Sequence, residues 1–212
     1  MHGRVRVFLD EKEFYGCGGM QVTEEVMLTV AGNACILLLG MQRLGFPGFT
    51  SILVYPDTYV ARQASFDGTV MSEELSVRAG ESWHRGPVIL SWADVVRGVG
   101  HGGDGHNVVI HEFAHKLDEE NDTMDGLPVL HETADYPRWA RVLTREYQLF
   151  QERVVRGENT VLDSYGAVSP PEFFAVATES FFEKGAQMRA AVPDLYAQLQ
   201  SYYRLDPAAW TG

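Results

Sequence analysis

Apolar and polar positions follow two different rhythms along this chain. Before Asn107 the apolar positions fall mostly in short runs. Val5 to Leu9 alternates and predicts a short strand or the end of a missing element. Val26 to Met41 is apolar almost throughout and predicts a buried helix from a Thr23 cap to about Leu39. Glu24 and Glu25 suit the dipole of its first turn, and Gly40 follows its end. Ser51 to Tyr55, Tyr59 to Arg62, Val70 to Val77 and Pro87 to Trp92 are rich in β-branched and aromatic residues. Turn residues such as Pro56-Asp57 and Asp67-Gly68 divide them, so each predicts a strand.

After Asn107 the period becomes helical. Helices are expected over Asn107 to about Asp118, Ala134 to about Arg156, Pro171 to about Lys184, and Pro193 to Arg204. Pro171 suits a first helical position, where its missing N–H has no partner to lose. Strands followed by helices, without βαβ alternation, predict an α+β fold. In it a small N-terminal β-sheet region packs on a mainly helical C-terminal half.

Composition narrows the picture. The 212 residues are 45% hydrophobic and 22% charged, ordinary for a globular chain, and no Pro/Gly/Ser-rich linker divides them. One domain, residues 1–212, is expected. The formal net charge of -12 repels a phosphate backbone, so nucleic acid is not an expected partner. Val26 to Met41 falls short of about 18 unbroken apolar residues and is interrupted by Thr29, Gly32 and Asn33, so no membrane span is expected. Cys17 and Cys35 have no metal or redox spacing, and Met1 to Asp10 carries no signal-peptide pattern. A cytoplasmic location is expected.

The chemistry concentrates in Val108-Val109-Ile110-His111-Glu112-Phe113-Ala114-His115-Lys116-Leu117-Asp118. Histidines four apart on a helix project from one face, so both can reach a single zinc ion at roughly 2.0–2.1 Å. Glu112, directly after the first, is placed to take a proton from a water on that ion. Ile110, Phe113, Ala114 and Leu117 make the helix a buried one, where two histidines without partners would be costly. A third protein ligand is required. Asn121 stands where a third histidine would follow at the metzincin spacing, so an acid from a later helix is expected: Glu172, Glu179 or Glu183. Glu172 and Glu179 are seven apart and share a helical face, which leaves the choice open on spacing.

Leu90 to Val95 (LSWADV), Asn107 to Asp118 (NVVIHEFAHKLD) and Asp163 to Phe182 (DSYGAVSPPEFFAVATESFF) resemble the Mlc titration factor A family of zinc peptidases. The second and third also look like the catalytic domain of anthrax lethal factor. The resemblance spans about Phe14 to Pro207. It implies a zincin-like metallopeptidase fold, zinc ligands at His111, His115 and Glu172, and a catalytic glutamate at Glu112. Tyr165, seven residues before Glu172, matches a tyrosine of the lethal-factor pattern and is implied to stabilise the oxyanion. The acidic residue expected four after Glu172 is Val176 here, so another group must orient the imidazoles, with Asp118 or a backbone carbonyl as candidates.

The resemblance thus implies a peptide or protein substrate and, through the family name, a transcriptional repressor as partner. A rival reading is a zinc-containing binding protein that sequesters such a regulator. Val88 to Trp92 is a candidate cleft edge for an extended substrate.

Other signals carry less. Asn121-x-Thr123-x-Asp125-Gly126-x5-Glu132 has calcium-loop spacing but lacks aspartate at its first and third positions, and reads as a polar loop. His101 to His106 reads as a loop approaching the metal helix. His2, His84 and His131 are isolated.

Overall fold

The structure, a computed structural model, describes residues 1–57, 86–100 and 102–210 in full. Between them it describes the backbone of 59–66, 71–78 and 80–82. Val70, His84, His101 and the turn at Asp67-Gly68, named above, lie outside the described residues.

The chain opens with helix α1, His2–Glu11, where a strand was expected. Val5, Phe8 and Leu9 lie three and four apart, which is a helical stripe. Phe8 is fully buried, with Val5 and Leu9 packed around it. Strand β1, Glu13–Gly16, was not foreseen. Helix α2, Glu24–Ile36, starts as expected, with the Thr23 hydroxyl accepting from the Val26 amide at 3.4 Å. Strand β2, Ser51–Tyr55, has the expected bounds.

Strands β3, Tyr59–Phe66, and β4, Met71–Arg78, pair antiparallel as a separate two-stranded ribbon. Strands β5, Gly80–Ser82, and β6, Val88–Ser91, complete the main sheet, whose order is β1-β2-β6-β5. Its first three strands run parallel, and β5 pairs antiparallel to β6. Thus β1–α2–β2 is one βαβ crossover in an α+β fold, a local departure from the expected absence of such units. The register places Ile52 beside Val88 and Val54 beside Leu90, and all four are fully buried on the core face.

Helix α3, Trp92–Gly100, begins directly where β6 ends. The Ser91 hydroxyl accepts from the Asp94 amide at 3.3 Å, a cap hidden at the end of an apolar strand. Helix α4, Val108–Asp118, and α5, Tyr136–Val155, match expectation within two residues. Helix α6, Pro170–Glu183, starts one residue early. Its cap is Ser169, and Pro170 rather than Pro171 opens it. The short α7, Gly185–Ala191, was not foreseen, and α8 runs from Pro193 to Tyr203.

The core is built around α4. Phe8, Phe46 and Phe49 surround the Phe113 ring, with centroids 5.5, 4.8 and 5.8 Å away. Ile110, Ala114 and Leu117 are buried beside it. Helix α6 is buried without interruption from Phe173 to Phe182 and packs along α4. Truncating a residue such as Phe113 to alanine removes roughly 3–5 kcal/mol of packing, so the helix carrying the histidines is fixed by its apolar face. Among the described residues no helix is long and apolar enough to cross a membrane.

Candidate metal centre

Asn107 starts α4 by accepting the Ile110 amide on its side-chain oxygen at 3.2 Å. From that start His111 and His115 fall on one face, one turn apart, with ring centroids 4.9 Å apart and ring planes at 80°. Glu172 reaches the same point from the first turn of α6, where the Ser169 hydroxyl accepts its amide at 3.4 Å. The Nε2 atoms of His111 and His115 are 3.2 Å apart, and the Oε2 of Glu172 lies 3.0 Å from the first and 3.4 Å from the second. These three donor atoms form a compact group able to hold one metal ion.

Glu179, open as a ligand on spacing, stands behind His111 instead. Its Oε1 is 2.6 Å from His111 Nδ1, and its Oε2 accepts the Asn107 amide at 2.7 Å. One carboxylate therefore fixes both the start of α4 and the first imidazole. Glu183 lies further along, accepting from the Gly103 amide at 2.7 Å and from the Asn107 side-chain amide at 3.2 Å. Asp118 does not meet an imidazole: its Oδ2 accepts the Gly126 amide at 2.8 Å. The orienting group that sequence reasoning sought at Asp118 or a carbonyl is therefore Glu179. The signal available for it was the seven-residue spacing from Glu172, which puts both acids on the face of α6 that meets α4.

Glu112 is buried on the same helical turn, and its charge bears on both His111 and Lys116. Tyr165 is half exposed, its ring centroid 6.1 Å from that of His111. Its turn is anchored by the Asp163 carboxylate, which accepts the Tyr165 amide at 2.8 Å. A Cβ at Gly166 would lie 3.2 Å from that of Val176. Val176, at the place where an acid was expected, thus seats the Tyr165 turn against α6.

His106, in the loop before α4, lies 3.8 Å from Asp163. In the spacing set aside as a calcium loop, Asn121 and Asp125 spend their side chains on neighbouring backbone groups. Val88 to Trp92 is not the free sheet edge expected for a substrate cleft. Strand β6 is flanked by β2 and β5, so its hydrogen-bonding edges are taken, and Trp92 belongs to α3.

The charges explain one another. Burial opposes a proton on His111, yet hydrogen bonds with Glu172 and Glu179 raise its pKa well above the imidazole value. Burial lowers that of His115. Burial also works against the Glu172 charge, but the two histidines hold its carboxyl far below the usual range. The pocket therefore demands positive charge between its carboxylates, which a proton on His111 or a shared cation supplies. A metal suits the donor set on that count.

The donor set is one that could hold a metal ion, as a metallopeptidase requires. A family model described as glucose-regulated metallo-peptidase M90 matches residues 1–204, and the chain belongs to that family. An uncharacterised protein of Synechocystis sp. is 44% identical over 98% of this chain and 76% of its own length. Mlc titration factor A of Salmonella arizonae is 32% identical over 95% of this chain and 80% of its own length. That of Klebsiella pneumoniae is 32% identical over 95% and 77% respectively. The resemblance to the titration factor family is thereby established along nearly the whole chain.

Proposed function

We propose that residues 1–212 act as one catalytic domain that hydrolyses peptide bonds with zinc held by His111, His115 and Glu172. The carrying observation is the donor triangle, with edges of 3.0, 3.2 and 3.4 Å. Ligands at about 2.0–2.1 Å from a tetrahedral zinc stand about 3.3–3.4 Å apart, so this triangle suits zinc with little movement. Two imidazoles and one carboxylate also leave a fourth position for water, the pattern of catalytic rather than structural zinc. When bound, zinc supplies Lewis acidity to a water and to the carbonyl under attack.

The chain's own groups do the rest. Glu112 takes the proton of the attacking water and passes it to the leaving amine. Glu179 holds the His111 tautomer that carries its proton on Nδ1, leaving the Nε2 lone pair for the metal. Tyr165, exposed beside His111, donates its phenol hydrogen to the oxygen on which charge develops.

Zinc per chain and peptide hydrolysis, measured on wild type, His115→Ala and Glu172→Ala, test this reading. About one zinc in wild type, lost in both variants together with chelator-sensitive hydrolysis, is the expected result. Full zinc in Glu172→Ala sinks the ligand assignment.

A second reading is favoured by the relatives' printed name, Mlc titration factor A. In it the chain binds a transcriptional regulator, and the zinc site coexists with that surface. Regulator binding undiminished in a zinc-free Glu172→Ala variant would support it.

A further inference from the structure

Helix α4 ends at Asp118, three residues past His115, and that carboxylate is completely buried. Its Oδ2 accepts the amide of Gly126, in the loop leading to α5, at 2.8 Å. Gly126 has φ +79, and a Cβ there would lie 2.7 Å from the carbonyl oxygen of Pro170. Pro170 opens α6 two residues before Glu172. The Gly126 carbonyl accepts the indole N–H of Trp139 at 3.2 Å, and the Trp139 ring packs on Phe174 of α6 with centroids 6.0 Å apart.

Gly126 is therefore held from three sides: by the end of the helix bearing both histidines, by α5, and by the first residue of the helix bearing Glu172. Nothing larger than glycine fits between Asp118 and Pro170 without moving one of them.

We propose that Asp118, acting through Gly126 on Pro170, is a positioning residue that sets where Glu172 stands relative to His111 and His115. The inference rests on the metal reading above. It assigns Asp118 no contact with an imidazole or with substrate. What the carboxylate supplies is an acceptor at a fixed point, so an amide oxygen in its place serves as well.

The experiment uses the full chain and two probe ions. Zinc affinity is measured by chelator competition, and the visible spectrum of the cobalt(II)-loaded protein reports ligand geometry. The variants are Asp118→Asn, Asp118→Ala, Gly126→Ala and Trp139→Phe, with Val30→Ala on α2 as a destabilised control away from the site. Asp118→Ala and Gly126→Ala are expected to lose roughly 10–100-fold in zinc affinity and to shift the cobalt bands. Trp139→Phe, which removes the indole hydrogen bond together with part of the ring's buried bulk, keeps the proposal testable where the harsher changes prevent folding. It is expected to lose a few-fold. Asp118→Asn and Val30→Ala are expected to keep wild-type affinity and spectrum.

Wild-type affinity and spectrum in folded Gly126→Ala and Trp139→Phe overturn the inference alone. So does an Asp118→Asn variant as weak as Asp118→Ala, since that makes charge rather than the hydrogen bond decisive. A wild type that binds neither ion overturns the metal reading, and this inference with it.

Discussion

The two ends of α4 present their histidines in unlike surroundings. At the N-terminal end, His111 gives its second nitrogen to Glu179, which also holds the Asn107 amide, while the Asn107 side chain meets Asn33 and Glu183. At the C-terminal end, the Nδ1 of His115 and the Oδ1 of Asp118 are buried without a hydrogen bond among the described residues. The difference teaches that one motif does not mean one mode of support. The first imidazole has a polar network behind its second nitrogen, and the second imidazole, buried, has none among the described residues.

The largest expected effect falls between these ends. Glu112→Gln should keep zinc while hydrolysis drops by roughly 10²–10⁴-fold, because only proton transfer is removed. Zinc content and kcat on the same preparation check it, and loss of zinc would make Glu112 part of the support instead.

Next comes the C-terminal end. Burial pushes the Asp118 carboxyl up to about 7, against the Gly126 amide, which favours its charged form. Between the unfolded value and about 7 the folded chain binds a proton that the unfolded chain has released, so stability falls as pH rises through that window and levels above it. Asp118→Asn lacks this penalty. Relative to wild type it should gain up to about 3 kcal/mol between roughly pH 5 and 8, measured by urea denaturation. A difference independent of pH would remove the asymmetry between the two ends.

At the N-terminal end, Glu179→Gln should weaken zinc roughly 10–100-fold, since an amide aligns an imidazole less well than a carboxylate. Chelator competition reads this, and an unchanged affinity would mean that the network behind His111 is dispensable. Smallest is Asn107→Ala. Loss of the cap should cost about 1 kcal/mol, seen as a thermal midpoint lowered by roughly 2–4 °C.

What could be read from sequence was local in character. The four-residue spacing of His111 and His115, the Thr23 cap and the β-branched and aromatic run of Ser51 to Tyr55 each act within a turn or a strand, and each stands in the structure. Val5 to Leu9 was read as a strand although five residues fit both periods, and only the burial of Phe8 beside Phe113 selects the helix. Ser91 was overlooked as a cap because an apolar run conceals it. The placing of β6 between β2 and β5 depends on strand order, which no local pattern records. The separate tasks of Glu172 and Glu179 follow from how α6 lies on α4. Seven residues along one helix could not distinguish them.

The donors also differ in when they become available. His111 and Glu172 are 61 positions apart in the chain, so an unfolded chain offers an ion the two histidines of one segment and meets the carboxylate only by closing a long loop. An ion held by all three donors thus favours the native chain by mass action, by about 2.7 kcal/mol when its free concentration is a hundred times its Kd. Scarcity of that ion would then show itself first as faster turnover of the chain by proteases, before any question of catalysis arises.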